Sequence, residues 1–134
     1  MKRYAVLCLV VVLCIFPLGC KKAVPLPGEV FTCGRVHSTV SPEAELTDFS
    51  CVIKPWNGAK TLHLNVTVRN ISPRAQRYRV NIFLPDGKAV GGLLPRKIKK
   101  GLVQPGASVK FSYPVRGVAS APEDLDLIIK TLVL

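Results

Sequence analysis

Chemistry-bearing side chains are scarce in this sequence. There are 2 His, 1 Met, 1 Trp and only 8 Asp+Glu in 134 residues, and aromatic residues make up 7%. A nucleophile needs a base within hydrogen-bond reach and a third group to orient that base. Two histidines and eight acids leave little from which to assemble one, and no enzyme is expected. The length is about that of one ordinary domain, which excludes a multidomain enzyme. Repeats and low-complexity tracts are absent. With 49% hydrophobic residues, and 11 Pro and 10 Gly dispersed along the chain, a disordered polymer is excluded as well. No apolar run reaches membrane-spanning length. The longest, residues 5–16, would extend about 18 Å as a helix at ~1.5 Å per residue, well short of a ~30 Å hydrocarbon core.

That run nevertheless carries information. Lys2 and Arg3 precede it, and Pro17, Leu18, Gly19 and Cys20 close it before Lys21 and Lys22. A basic start, a short apolar stretch and a small residue at its end are the parts of a secretory signal peptide. Leu18-Gly19-Cys20 resembles the bacterial lipobox, in which a Gly-Cys pair marks the cut and the Cys is acylated. On that resemblance residues 1–19 are a lipoprotein signal peptide, Cys20 is the lipidated first residue, and residues 20–28 form a tether. Triacylation would hold the chain stably on a bilayer, facing the periplasm. Lys21 after the Cys points to the outer rather than the inner membrane. Ordinary cleavage nearby, with Cys20 left as a thiol, is the alternative.

Cys8 and Cys14 would leave with the signal. Cys33 and Cys51 then remain as an even pair in an oxidising compartment, where a disulfide is expected. The rival arrangement is a metal set of Cys33, His37, Cys51 and His63, but no CxxC or HxxxH spacing accompanies it. Free thiols are the third alternative. No metal and no cofactor is expected. His63 falls in a regular alternating run and should lie on a solvated face.

Charge is one-sided, with 19 Lys+Arg and a formal net charge of +11. Losing Lys2 and Arg3 leaves the chain strongly basic. The excess gathers at Arg69, Arg74, Arg77 and Arg79, then at Arg96, Lys97, Lys99 and Lys100. Phosphate-rich partners such as anionic lipid or glycan suit that surface, and a merely solvated basic face is the alternative. Nucleic acid is not expected, because no aromatic residues are interleaved with the charges for base stacking.

The remainder reads as strands. In residues 62–68 Leu62, Leu64, Val66 and Val68 alternate with polar residues. Tyr78, Val80, Ile82 and Leu84 do so in 78–84, and Val109, Phe111, Tyr113 and Val115 in 109–115. Further strands are expected at 30–36 and 46–53, a weaker one at 88–94, and a long apolar one at 125–133. Turn signals stand at Pro55-Trp56-Asn57-Gly58, Asp86-Gly87 and Gln104-Pro105-Gly106. Seven or eight short strands at this spacing, with no convincing helix, indicate an all-β antiparallel sandwich of immunoglobulin-like type over residues 29–134. The short link between 62–68 and 78–84 predicts a hairpin that gathers Arg69, Arg77 and Arg79 on its outer face.

Val66-Thr67-Val68-Arg69-Asn70-Ile71-Ser72, Ile82-Phe83-Leu84-Pro85-Asp86-Gly87, and residues 102–108 followed by Phe111 resemble the bacterial immunoglobulin-like accessory domains of the FxLYD type. The joining of a lipobox to such a sandwich is similar to the small YcfL-type lipoproteins. This resemblance implies a membrane-tethered accessory module with an envelope protein as partner, and it supplies no catalytic residues.

Overall fold

The computed structural model describes residues 26, 28–96 and 101–133. Among the described residues it is an eight-stranded β-sandwich with no helix. The strands are β1 (Val30–Phe31), β2 (Arg35–Val40), β3 (Ala44–Trp56), β4 (Ala59–Asn70), β5 (Tyr78–Phe83), β6 (Ala89–Leu94), β7 (Ser108–Val115) and β8 (Asp124–Thr131). One sheet has the order β1-β3-β4-β7 and the other β2-β8-β5-β6. All pairings are antiparallel except β2 with β8, which is parallel.

The alternation in the sequence sorts side chains between the two layers. Leu62, Leu64, Val66 and Val68 of β4 face Val80, Ile82, Leu127 and Ile129 of the other sheet, and all are buried. β3 contains one break in phase. Its register with β4 slips between Leu46 and Asp48, so Thr47 is an extra residue. Before this bulge the inward positions are even (Ala44, Leu46), and after it they are odd (Phe49, Cys51, Ile53). Without the bulge, one half of this strand would turn its apolar residues outward. The β3–β4 hairpin closes on Asn57-Gly58, with φ of 50° and 80° respectively. A two-residue turn with both φ positive matches the twist of the strands, and Asn-Gly is the pair that tolerates it.

The expected strand at 30–36 is two strands. Cys33 and Gly34 carry the chain from the first sheet to the second, and glycine is needed at 34 because a Cβ there would collide with the Pro122 and Glu123 carbonyls. Arg35 N–H donates to the Glu123 carbonyl at 2.9 Å, which starts the parallel β2–β8 pairing. Residues 38–40, beyond the expected end of that strand, are therefore strand as well. Cys33 and Cys51 form a disulfide with Cα atoms 5.2 Å apart. It bridges this crossover to β3 rather than joining two strands, and it leaves no thiolate for a Cys2His2 metal set.

The hairpin expected between 62–68 and 78–84 does not form. β4 lies in one sheet and β5 in the other, so the link 71–77 crosses between layers. Its connection is organised by Asn70, which is fully buried. The Asn70 amide donates to the Arg74 carbonyl at 2.7 Å and the Val103 carbonyl at 2.8 Å, and its oxygen accepts from Ser72 N–H at 2.9 Å. A side chain that satisfies three backbone groups fixes a loop that no ladder could.

Candidate functional site

The singled-out cations that lie among the described residues do not converge. Val68 and Val80 point inward, so Arg69 and Arg79 point outward, on the outer faces of opposite sheets. Arg69 pairs in register with Glu45 and Ser108, and Arg79 with Lys130 and Leu93. Arg77 corrects the expectation outright, being only 8% exposed. Its guanidinium donates from Nε and Nη2 to the Pro95 carbonyl at 3.3 and 3.1 Å, and from Nη2 to the Arg96 carbonyl at 3.4 Å. Arg77 thus holds the chain beyond β6 instead of meeting solvent. Lys97, Lys99 and Lys100 lie outside the described residues, as do residues 1–19, Cys20 and most of the tether.

His63 is another correction, because it is 4% exposed. β4 is flanked on both sides, and Val52 and Pro114 sit in register with His63 and cover it. Its Nδ1 lies 3.0 Å from the Thr61 carbonyl, which can only accept, so Nδ1 carries the proton. Desolvation pulls the ring below its ordinary pKa of 6.5, and the Lys54 charge adds to this against the Thr61 hydrogen bond. His37 is exposed and pairs with Asp124 at 2.9 Å, far from His63 in the sandwich. No group of three His, Cys, Asp or Glu that could hold a metal occurs among the described residues.

One part of the basic surface is built differently. From Lys88 to Pro122 the sequence contains no Asp or Glu, and this segment supplies the adjoining edges β6 and β7. Arg96, Lys110 and Arg116 are exposed there. Asp86, in the β5–β6 turn just before this stretch, is taken by Lys88 at 2.8 Å, which holds its carboxyl below the usual range. Between the two edges lies a cleft of about 400 Å³ lined by Trp56, Val90, Arg96, Tyr113 and Pro114 together with Ala89 and Gly91. A second hollow, toward Lys88 and Arg116, shares Ala89, Val90 and Pro114 with it. The two make a groove with apolar walls and cations at each end.

Tyr113 is the unusual residue in this groove. It is 3% exposed, and its hydroxyl has no hydrogen-bond partner. Burying a hydroxyl unpaired costs about 1–3 kcal/mol. Desolvation pushes its pKa up to about 12, against the pull of the Arg96 charge, so the phenol keeps its proton and remains a donor. Tyr78, on the facing sheet, is also fully buried, but its hydroxyl donates to the Glu43 carbonyl at 3.0 Å. The Tyr113 ring meets Phe111 edge-on with centroids 4.7 Å apart, and Arg96 lies over Phe111 at 4.6 Å. Sequence reasoning passed over Tyr113 and Trp56 as core and turn residues. The acid-free stretch was the available signal, and it marks the side of the sandwich though not the residue.

No family model, curated protein or solved structure matches this chain, so the resemblance to FxLYD-type and YcfL-type domains rests on the quoted residues alone.

Proposed function

We propose that this chain is a lipid-anchored, non-catalytic binding module of the bacterial envelope, held by Cys20 and facing the periplasm, with the outer membrane as the favoured location. The observation that carries the binding role is the β6–β7 groove. It combines apolar side chains, the cations Arg96 and Arg116 without an ion-pair partner among the described residues, and a buried donor without a partner, and its lining holds no His, Cys, Asp or Glu that could serve as base or nucleophile. The tether reading is supported by the short apolar run ending at Gly19-Cys20. Gly28 N–H donates to the Ile53 carbonyl at 2.6 Å, so a tether would meet the sandwich beside the β3–β4 hairpin. An oxidised Cys33–Cys51 pair suits an exported domain.

In this reading the partner is an envelope protein, and the domain is the part that reaches it. The charge of the β6–β7 side favours a second reading in which the module carries an anionic envelope lipid or glycan. Fractionation and mass spectrometry test the anchor. The expected mature chain begins at an acylated Cys20 and sediments with membranes, and Cys20→Ser releases it or stalls its processing. An unmodified Cys20 in the mature chain overturns the anchor. Crosslinking from the groove in intact envelopes separates the two readings, a discrete protein adduct supporting the first and a lipid or glycan adduct the second.

A further inference from the structure

We propose that the β6–β7 groove binds the phosphate headgroup of an anionic lipid, with the Arg96 guanidinium and the Tyr113 hydroxyl on the phosphate and the acyl portion along Ala89, Val90 and Pro114. This deepens the second reading above by naming the ligand class and its contacts. It depends on membrane anchoring only for where the lipid comes from.

Three observations carry it. The first is the contrast between the two buried tyrosines. Tyr78 spends its hydroxyl on a backbone carbonyl, whereas Tyr113 has none to spend it on, and it lines a cleft rather than a sealed core. An unpaired donor there asks for an acceptor from outside the chain. The second is charge. Arg96 is exposed, has no carboxylate partner among the described residues, and lies over Phe111 beside Tyr113. A phosphate has acceptors only, and it matches both a guanidinium and a phenol as donors. The third is the walls. Beyond those two groups the lining side chains are Trp56, Val90, Pro114 and small residues, whose apolar surface suits a hydrocarbon chain. Arg77 is a positioning residue in this scheme, because its bonds to the Pro95 and Arg96 carbonyls set the backbone from which Arg96 projects.

The chain contains its own reporter, since Trp56 is the one tryptophan and lines the cleft. Purified mature protein is titrated with water-soluble dihexanoyl phosphatidylglycerol, with dihexanoyl phosphatidylcholine and with inorganic phosphate while Trp56 emission is read. The phosphatidylglycerol should produce a saturable blue shift and the phosphatidylcholine at least tenfold weaker binding. Inorganic phosphate should compete for the site without the blue shift. Tyr113→Phe and Arg96→Gln should each raise the dissociation constant about fivefold or more. Lys130→Gln, which removes an exposed cation from the outer face of the other sheet, should leave it unchanged. Arg96 is on the surface, so its variant keeps the test valid even where Tyr113→Phe perturbs packing.

Equal response to both lipids overturns the proposal in favour of an unspecific apolar cleft. Equal loss in Arg96→Gln and Lys130→Gln overturns it in favour of general electrostatics. A blue shift with inorganic phosphate equal to that with phosphatidylglycerol overturns the acyl contact and leaves a free-anion site. Because the titration needs no anchor, an unmodified Cys20 and an unresponsive groove are separate failures.

Discussion

The two sides of this sandwich are closed by different means. On the β1–β2 side the chain crosses between sheets through Cys33 and Gly34, the disulfide to Cys51 ties the crossover to β3, and β2 zips in parallel along β8. Acids gather there, at Glu29, Glu123, Asp124 and Asp126. On the β6–β7 side no covalent link spans the layers. A buried arginine holds the outgoing chain by its carbonyls, the stretch from Lys88 to Pro122 that forms this side contains no Asp or Glu, and a groove lies open with a buried, unpaired hydroxyl in its wall. One side is built for stability. The other tolerates an unsatisfied group, as binding surfaces do when an outside partner completes them.

The largest effect should come from opening the closed side. Cys33→Ser with Cys51→Ser releases a loop with a sequence separation of 18, worth about 3 kcal/mol on the chain-entropy account. Urea unfolding should show that loss, and reduction of the native protein should reproduce it. A loss below about 1 kcal/mol would make the parallel β2–β8 pairing the true closure of this side.

Arg77→Met tests the closure of the open side, with an expected loss of about 2 kcal/mol, since hydrogen bonds from a charged donor contribute about 1.5–3 kcal/mol. The same variant should blur the groove, seen as weaker phosphatidylglycerol response of Trp56. If stability falls and the response does not, Arg77 supports the fold and does not position Arg96.

How legible these two sides were in the sequence differs too. Period-two alternation placed Leu62, Leu64, Val66 and Val68, and Tyr78, Val80, Ile82 and Leu84, in the core, and they are buried. Seven strand regions and the cysteine pairing were also readable, because alternation, turn residues and even cysteine counts can be read without the fold, whereas the division of 30–36 into β1 and β2 was not. Which sheet a strand joins is not local. A link of seven residues, 71–77, serves a hairpin or a crossing between layers equally well, and Asn70 decides for the crossing by bonding the Arg74 carbonyl within the link and the Val103 carbonyl far along the chain. The same limit misplaced Arg77 and His63. Their outward positions in the alternation are correct, but Arg77 folds back onto Pro95 and His63 is covered because β4 is a central strand. Of the site, the one-sided charge was visible. The missing partner of Tyr113 was not, since only the assembled core shows which hydroxyls go unpaired.

Tyr113→Phe should have a smaller effect on stability, and of opposite sign. Removing a buried hydroxyl that bonds nothing relieves its desolvation, so thermal unfolding should shift upward by the equivalent of about 1 kcal/mol. Tyr78→Phe, which abandons the Glu43 carbonyl, should instead lose about 1 kcal/mol. Two identical substitutions on facing sheets would then differ in sign. If Tyr113→Phe is destabilising, the hydroxyl has a partner within the chain and the groove loses its donor.

The smallest effect concerns pH and belongs to β4, the strand that both sides share. His63 has a folded pKa below its ordinary 6.5, so as pH falls from 7 the unfolded chain takes up the proton first. The stability held by neutral His63 is complete above 6.5 and is lost as pH falls through the folded value, below which the loss levels off. Thermal unfolding should therefore drop between pH 7 and 5, and His63→Gln should flatten that slope. β4 pairs with β3, which carries Cys51, and with β7, which carries Tyr113. Acid strain on β4 should accordingly reach both sides together. Disulfide accessibility to a reductant and Trp56 emission should report the same midpoint at each pH. A Trp56 transition that precedes exposure of the disulfide would mean that the open side loosens by itself, and that the covalent link confines its stabilisation to the side it closes.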